Sequence, residues 1–395
     1  MKKILIIPSW YPTHSQPLKG SFFKDQAELL SKNGFDVKVL FGEVRSFPFI
    51  RVVKTYITTF LNKRKEITPD VVLQNPEAFG FYLPNNRRVR DSVLINFAQK
   101  TYIKAFKEIV NNGWVPDLIH AQSGMDAGVF AHRISKKFDI PFVIIEHQVF
   151  VFHYYSKLRA GLVLDAFKAA KKVAAVSFDE RRQVLMNQTE CNPEVIWNFV
   201  DETKYQIDLN KRNKRFTIIT ILNSLPIKGA ESFLEAIKEL LNQDQDIEFI
   251  MIGKGGDLDS NNPEHNLFIT KSKELEVYEK GTFLPFVPRE EIGNILNQAH
   301  VFVSPTIQEP HGIAAREAMM CGLPVVTTAN GGVEDSITSE TGLIVPVKDP
   351  KALAEAILKI KNSALQYNPN IIRELAICQC GTKTFLKAMT EFYKI

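Results

Sequence analysis

The chain repeats one rhythm: a short apolar run, a polar turn, then an amphipathic stretch. KILII (residues 3–7), a helical pattern over 22–32 and DVKVLF (36–41) read as strand, helix, strand, with Asn33-Gly34 closing the helix. The alternation returns in DLIHA, a helix around Ala127 to Phe138, PFVIIEH and VAAVS. A polar, charged stretch over 201–215 is the natural linker. Beyond it run RFTIITIL, a helix over 230–242, IEFIMIG, a strand-like LFIT, TFLPF, a helix over 289–299, VFVSP, a helix ending at Met320, and PVVTT. Buried β-rich runs separated by helices specify parallel sheets covered on both faces. The expected fold class is therefore α/β, with two Rossmann-like domains facing each other across a cleft. Residues 1–205, joined by a C-terminal helix over 381–395, would form one domain and 206–380 the other. Loops after parallel strands are where such sheets bind ligands, so the chemistry is expected there.

Composition fits that picture: the 395 residues are 45% hydrophobic and 24% charged, enough to bury full cores. Cys191, Cys321, Cys378 and Cys380 lack the paired spacing of a zinc site, and the last two are too close for an ordinary bridge, so all four read as reduced thiols. The first apolar run stops at Ile7, as in a buried first strand rather than a secretory leader, and no segment has the length of a membrane span. A cytoplasmic protein is expected. The net charge of +5 is too modest to point to nucleic acid. Cations nevertheless concentrate in RSFPFIRVVKTYITTFLNKRK (45–65), interleaved with Phe47, Phe49, Tyr56 and Phe60, and again at Arg87, Arg88 and Arg90. This segment either makes peripheral contact with an anionic inner membrane face, binds a lipid-diphosphate-linked glycan, or is an amphipathic helix over the first sheet.

Several post-strand loops carry candidate chemistry. SWYPTHSQPLKG ends at Gly20 ahead of a helix, where backbone N–H groups approach an anion or the glycine simply makes a turn. Lys228 follows ITIL and the loop NSLPI, within reach of a diphosphate or else exposed. IMIGKGGD places Gly253 after a strand, and the following Asp257 to Asp259 triplet is either a metal-binding DxD or a solvated turn. His120 and His147 each close an apolar strand, as core histidines or as ligands. In EPHGIAAREAMMCGLPVV (309–326), Gly312 lets the N–H groups of a helix's first turn point at an anion, and the helix dipole adds positive potential. Glu309 and Glu317 flank that site. Carboxylates do not bind phosphate but accept from hydroxyl pairs, as a sugar and a ribose present; a capping acid and a surface acid are the alternative.

The arrangement Glu309-PHGIAAR-Glu317 followed by AMMCGLPVV resembles the E-x7-E motif of the retaining glycosyltransferases of family 4, which have the GT-B fold. SWYP with Gly20, DLIHAQ, IIEH, VAAVS, VIWNFVD, LNSLPIKG, IGKGGD, TFLPFVPREEI and GGVEDSITSETGLIVPVKD match in order along most of the chain. The resemblance implies an acceptor-binding N-terminal domain, a donor-binding C-terminal domain, and transfer of a sugar from a nucleoside diphosphate sugar, UDP by default. The acceptor would be a hydroxyl of a glycan or lipid-linked glycan in surface polysaccharide or glycoconjugate synthesis, and no metal cofactor is implied. Glu309 would accept from donor-sugar hydroxyls, and the backbone of His311, Gly312, Ile313 and Ala314 would hold sugar and distal phosphate. Glu317 would bind the ribose, Lys228 and Gly20 the diphosphate, and His147 the sugar near its reacting face. The base would lie near Gly253 and against a loop over 282–286 that begins at Thr282. Relatives often carry arginine where this chain has Asn223, five positions before the lysine, which bears on how firmly the donor is held.

Two other classes fit parts of the pattern: a nucleotide-sugar epimerase on the same scaffold, and a non-catalytic sugar-nucleotide binding protein, which Asn223 makes conceivable. KILIIPSWYP lacks the glycine fingerprint of a nicotinamide dehydrogenase.

Overall fold

The computed structural model describes residues 1–13, 16, 19–60, 76–150, 155–255, 266–285, 287–363 and 366–395. They divide into two compact units, one of residues 1–176, 180–196 and 388–395, the other of 177–179 and 197–387.

In chain order the first unit contains β1 (Lys2–Pro8), α1 (Ser21–Lys32), β2 (Phe35–Ser46), α2 (Phe49–Phe60), β3 (Glu77–Asn85), α3 (Asp91–Asn111), β4 (Leu118–Gln122), α4 (Val129–Phe138), β5 (Phe142–Glu146), α5 (Lys157–Ala169), β6 (Lys172–Ala175), most of α6 (Phe178–Asn187), and β7 (Glu194–Val195). The strands form one parallel sheet in the order β3-β2-β1-β4-β5-β6-β7. Ile4, Leu5, Ile6 and Ile7 are fully buried, which is why β1 reads as an unbroken apolar run: helices cover both of its faces. On α1 the buried positions Phe23, Gln26, Ala27 and Leu30 fall on one helical stripe.

The second unit contains β8 (Phe216–Ile221), α7 (Ala230–Gln243), β9 (Ile247–Ile252), α8 (Leu267–Glu274), β10 (Gly281–Leu284), α9 (Arg289–Leu296), β11 (Val301–Ser304), α10 (Ile313–Met320), β12 (Val325–Thr328), β13 (Gly342–Val345), α11 (Pro350–Asn362), α12 (Pro369–Cys380) and the start of α13 (Thr382–Phe392). Its parallel sheet runs β10-β9-β8-β11-β12-β13. Counted from its own first strand, each sheet follows the doubly wound order three-two-one-four-five-six. The strand order thus reverses between β1 and β4 in one unit and between β8 and β11 in the other.

Two local expectations are corrected. LFIT is not a strand but opens α8, because the Asn266 side chain accepts from the N–H groups of Phe268 and Ile269 and starts a helix. Thr282 lies not in a loop but within β10, paired with Ile250 of β9. Residues 201–215, polar enough to read as a linker, are tied down: Tyr205 is buried, and Arg373 donates to the carbonyls of Tyr205 and Glu202. At the C-terminus, Tyr393 is buried in the first unit with its hydroxyl 2.8 Å from His120 Nδ1.

Candidate functional site

Three loops of the second unit leave the carboxyl ends of β8, β11 and β12, and glycines allow them to close on one another. In the β8 loop the Asn223 side chain accepts from Leu225 N–H at 3.0 Å, turning the chain into a single helical turn over Pro226–Lys228. Gly229 follows with φ +72°, and a Cβ there would stand 2.0 Å from the Pro305 carbonyl oxygen. Ile307 N–H donates to Ile227 carbonyl at 2.8 Å, so the β8 and β11 loops are laced together. This places Lys228 Nζ 2.6 Å from Glu309 Oε2, with both side chains partly open to solvent.

The β11 loop is held from its other side by the β12 loop. Glu309 N–H donates to Asn330 carbonyl at 3.0 Å, and a Cβ on Gly332 would come 2.3 Å from the Glu309 carbonyl oxygen. Gly312 has φ +77° and is the N-cap of α10 without any capping side chain. A helix leaves its first N–H groups without intrahelical partners, and with no side-chain cap they remain available to a ligand. Asn223, Lys228, Glu309, Gly312, Ile313 and Ala314 line one cavity of about 320 Å³ at the point where the strand order reverses. Thr306 and Ser304 add hydroxyls that the sequence did not single out.

Other expected residues take different positions. His311 is buried beneath the loop. Glu317 is buried on α10, its Oε1 accepting from Tyr205 Oη at 2.6 Å with Arg289 Nη2 at 3.8 Å. Burial, reinforced by Glu317, pushes the Tyr205 pKa up, so this phenol stays a donor. Gly253 has its N–H bonded to Leu284 carbonyl at 2.9 Å, and a Cβ there would stand 1.7 Å from the Leu222 carbonyl oxygen; it is a close-packing glycine. Thr282 is exposed on its strand. Asp257 to Asp259 lie outside the described residues. Among those described, no cluster of three or more His, Cys, Asp or Glu has the arrangement of a metal site.

Gly20 and His147 belong to the first unit. Gly20 has φ +71° and sits so close to Trp10 that a Cβ would be 2.8 Å from its carbonyl oxygen, a sufficient reason for glycine there. His147 is buried, its ring edge-on to Phe23 at 4.9 Å. The preceding Glu146 accepts from the N–H groups of Gly124, His147 and Gln148 at 2.8, 2.9 and 2.9 Å; burial pushes its pKa up against those bonds. His120 is a core residue whose pKa burial drives down to about 3.

Sequence reasoning passed over Arg316, Tyr205, Arg289 and the β4 loop. There Ser123 and Asp126 adopt φ +84° and +58°, and Asp126 pairs with Arg159 at 3.0 Å, which also holds Asp91 at 2.6 Å. The overlooked signal was the lone arginine in the small-residue run IAAREAMM.

Residues 201–373 match the family model for glycosyl transferases group 1, and residues 20–204 that for glycosyltransferase family 4. A Bacillus subtilis protein named as a teichuronic acid biosynthesis glycosyltransferase is 26% identical over 94% of this chain and 92% of its own length. A Staphylococcus aureus capsular polysaccharide biosynthesis glycosyltransferase is 28% identical over 42% of this chain and 44% of its own. Among solved structures, sucrose-phosphate synthase from Thermosynechococcus elongatus aligns over 100% of this chain and 98% of its own, with a TM-score of 0.79 at 19% identity. Anabaena HepE in complex with UDP and glucose aligns over 99% of both chains, with a TM-score of 0.72 at 17% identity.

Proposed function

Because the chain belongs to the group 1 and family 4 glycosyltransferases, of GT-B type, we propose that it is a retaining enzyme moving a sugar from a nucleoside diphosphate sugar, UDP-linked by default, to a hydroxyl of a glycan or lipid-linked glycan. The product belongs to surface polysaccharide or glycoconjugate synthesis, the process for which the Bacillus and Staphylococcus relatives are named. In this reading the second unit, with 197–387, binds the donor and the first unit the acceptor. The observation that carries it is the cavity where Lys228, Glu309 and the uncapped start of α10 converge.

Lys228 and Glu309 form an ion pair with one another. A bound diphosphate takes the ammonium and the N–H groups of Gly312 to Ala314, which releases the Glu309 carboxylate to accept from sugar hydroxyls. Glu317 accepts from the ribose, and the base rests near Gly253 and Thr282. As the anomeric carbon–oxygen bond breaks, charge accumulates on the departing phosphate, where preorganised donors lower the barrier most. The acceptor oxygen then bonds to the anomeric carbon on the same face, and its proton passes to an oxygen of the leaving phosphate. Lys228 and α10 supply the positive charge, with no metal required.

Thermal-shift screening with uridine, guanosine and adenosine diphosphates tests the donor site, since a ligand bound by the native state raises its stability. Proton NMR of the first product formed reads the anomeric configuration: inversion overturns the retaining mechanism, and scrambling of label within the donor alone points to the epimerase.

For the acceptor side, α2 favours contact with an anionic lipid surface. Val52 is buried and Tyr56 stacks on Phe97 at 4.1 Å, while Ile50 (83% exposed), Val53 and Ile57 (53%) make an outward stripe. Arg51 and Lys54 flank that stripe, and residues 44–60 contain no Asp or Glu. No helix among the described residues is long and apolar enough to cross a membrane. Flotation on vesicles of equal phosphatidylglycerol and phosphatidylcholine, lost on substituting Ile50 and Ile57 by Ser or at high salt, checks this. Equal flotation of the substituted protein rejects it.

A further inference from the structure

Arg316 stands one position before Glu317 on α10, fully buried. A buried guanidinium normally faces a carboxylate, because removing it from water costs several kcal/mol. Here no ion pair to Arg316 is formed among the described residues. One Nη donates to the His311 carbonyl, the other to the Gly332 carbonyl at 3.1 Å, and Nε has no hydrogen-bond partner. Burial pushes the Arg316 pKa below that of a free guanidinium, while the fields of Asp335 and Glu309 favour its charge without bonding to it.

The two carbonyls it holds belong to the two loops that shape the cavity. In a trans peptide the C=O and N–H point opposite ways. Anchoring the His311 carbonyl on the buried side therefore turns the Gly312 N–H away from Arg316; Gly312, Ile313 and Ala314 themselves line the cavity. The second contact fixes Gly332, whose backbone packs against Glu309 to His311 so closely that it admits no Cβ. On the open side of the cavity, Asn223 is neutral and engaged in its own turn.

We propose that Arg316 is a positioning residue for the donor diphosphate: it clamps the β11 and β12 loops so that the α10 N–H groups face the phosphate, and places behind them a fixed positive charge that Asn223 does not provide. This rests on the donor-site reading and names a device within it. Arg316 touches no substrate; it acts through the peptide dipoles it holds and through its field.

The test compares each nucleoside diphosphate with its own nucleoside, by calorimetry on the full chain: UDP with uridine, and GDP and ADP with theirs. Only the phosphates should sense Arg316. For Arg316→Met, the diphosphate-to-nucleoside affinity ratio should fall at least roughly tenfold while nucleoside affinity stays within about twofold. Arg316→Lys, which keeps charge but loses the fork, should recover part of that ratio. In turnover, KM for the donor should rise and kcat fall together in Arg316→Met, with Arg316→Lys between it and the unmutated chain. An unchanged ratio, or equal loss of nucleoside and diphosphate binding, shows that Arg316 only holds the loop together and overturns the proposal. If Arg316→Met melts below the assay temperature, Arg316→Lys decides by the same ratio: a full wild-type value rejects the clamp. Failure of the unmutated protein to bind any of the diphosphates would instead remove the donor site itself, and this inference with it.

Discussion

The two units are built on one strand order and place opposite chemistry at the reversal point. In the second, the loops after β8 and β11 bring together a lysine, a glutamate and an uncapped helix start around an open cavity. In the first, the loop after β4 is filled: Asp126 meets Arg159, which also pairs with Asp91, and Glu146 is buried under three backbone N–H groups. Asp126, at φ +58° and ψ −66°, holds a backbone conformation costly for a side-chain-bearing residue. Two carboxylates, Asp91 and Asp126, share one guanidinium there. The topology supplies an address at each reversal point, and the loop residues decide which chemistry stands there.

The largest expected effect tests the positive side of that contrast. Lys228→Ala should lower kcat/KM for the donor by roughly 100- to 1000-fold, the range for removing one preorganised donor from a developing anion. Steady-state assays with labelled donor measure this, and a change under threefold would make the two reversal points functionally alike.

Glu309→Gln sharpens the comparison because two functions separate. Losing the carboxylate frees the Lys228 ammonium, so affinity for sugar-free diphosphate should hold or rise while turnover falls by roughly 100-fold. Paired calorimetry and rate measurements check this. A parallel loss of both would mean that Glu309 organises the lysine instead of the sugar.

Gly312→Ala forces a side chain onto a left-handed residue and against Val333 Cγ2, 2.3 Å from the added Cβ. It should cost about 1–3 kcal/mol of stability and weaken diphosphate binding. Asp126→Asn, in the other unit, should leave diphosphate affinity within about twofold and destabilise by roughly 0.5–1 kcal/mol, as expected for a pair partly open to water. Chemical denaturation with calorimetry reads both, and equal losses of nucleotide binding would erase the distinction.

The effect that is smallest at neutral pH, and grows only in acid, concerns His120. Its folded pKa lies near 3, below its unfolded value, so its contribution to stability is intact above about pH 6.5 and declines as pH falls toward 3. The decline reaches at most about 1.4 kcal/mol per pH unit, and His120→Phe should flatten the slope of stability against pH in that window.

The sequence by itself determined β1, β2, β4 to β6, β8 to β12, the helices α1, α4, α7, α9 and α10, and the two-sheet class, because unbroken apolar runs and 3.6-residue stripes are local consequences of burial. It left β3, β7, β13 and the helices α3, α5, α6, α11 and α12 unread. It failed at LFIT, since four apolar residues fit one strand or one helical turn equally well, and the Asn266 cap decided. Spacing alone was enough to single out Lys228, Glu309 and Gly312 as candidates, each standing just after a strand or just before a helix. Only the tertiary structure could pair Lys228 with Glu309, seat Tyr205 on Glu317, bury Arg316 beneath its two carbonyls and assign Gly229 and Gly332 to inter-loop contacts. Those relations join residues up to 112 positions apart, and which side chains meet there depends on strand order and loop closure, which no local pattern encodes.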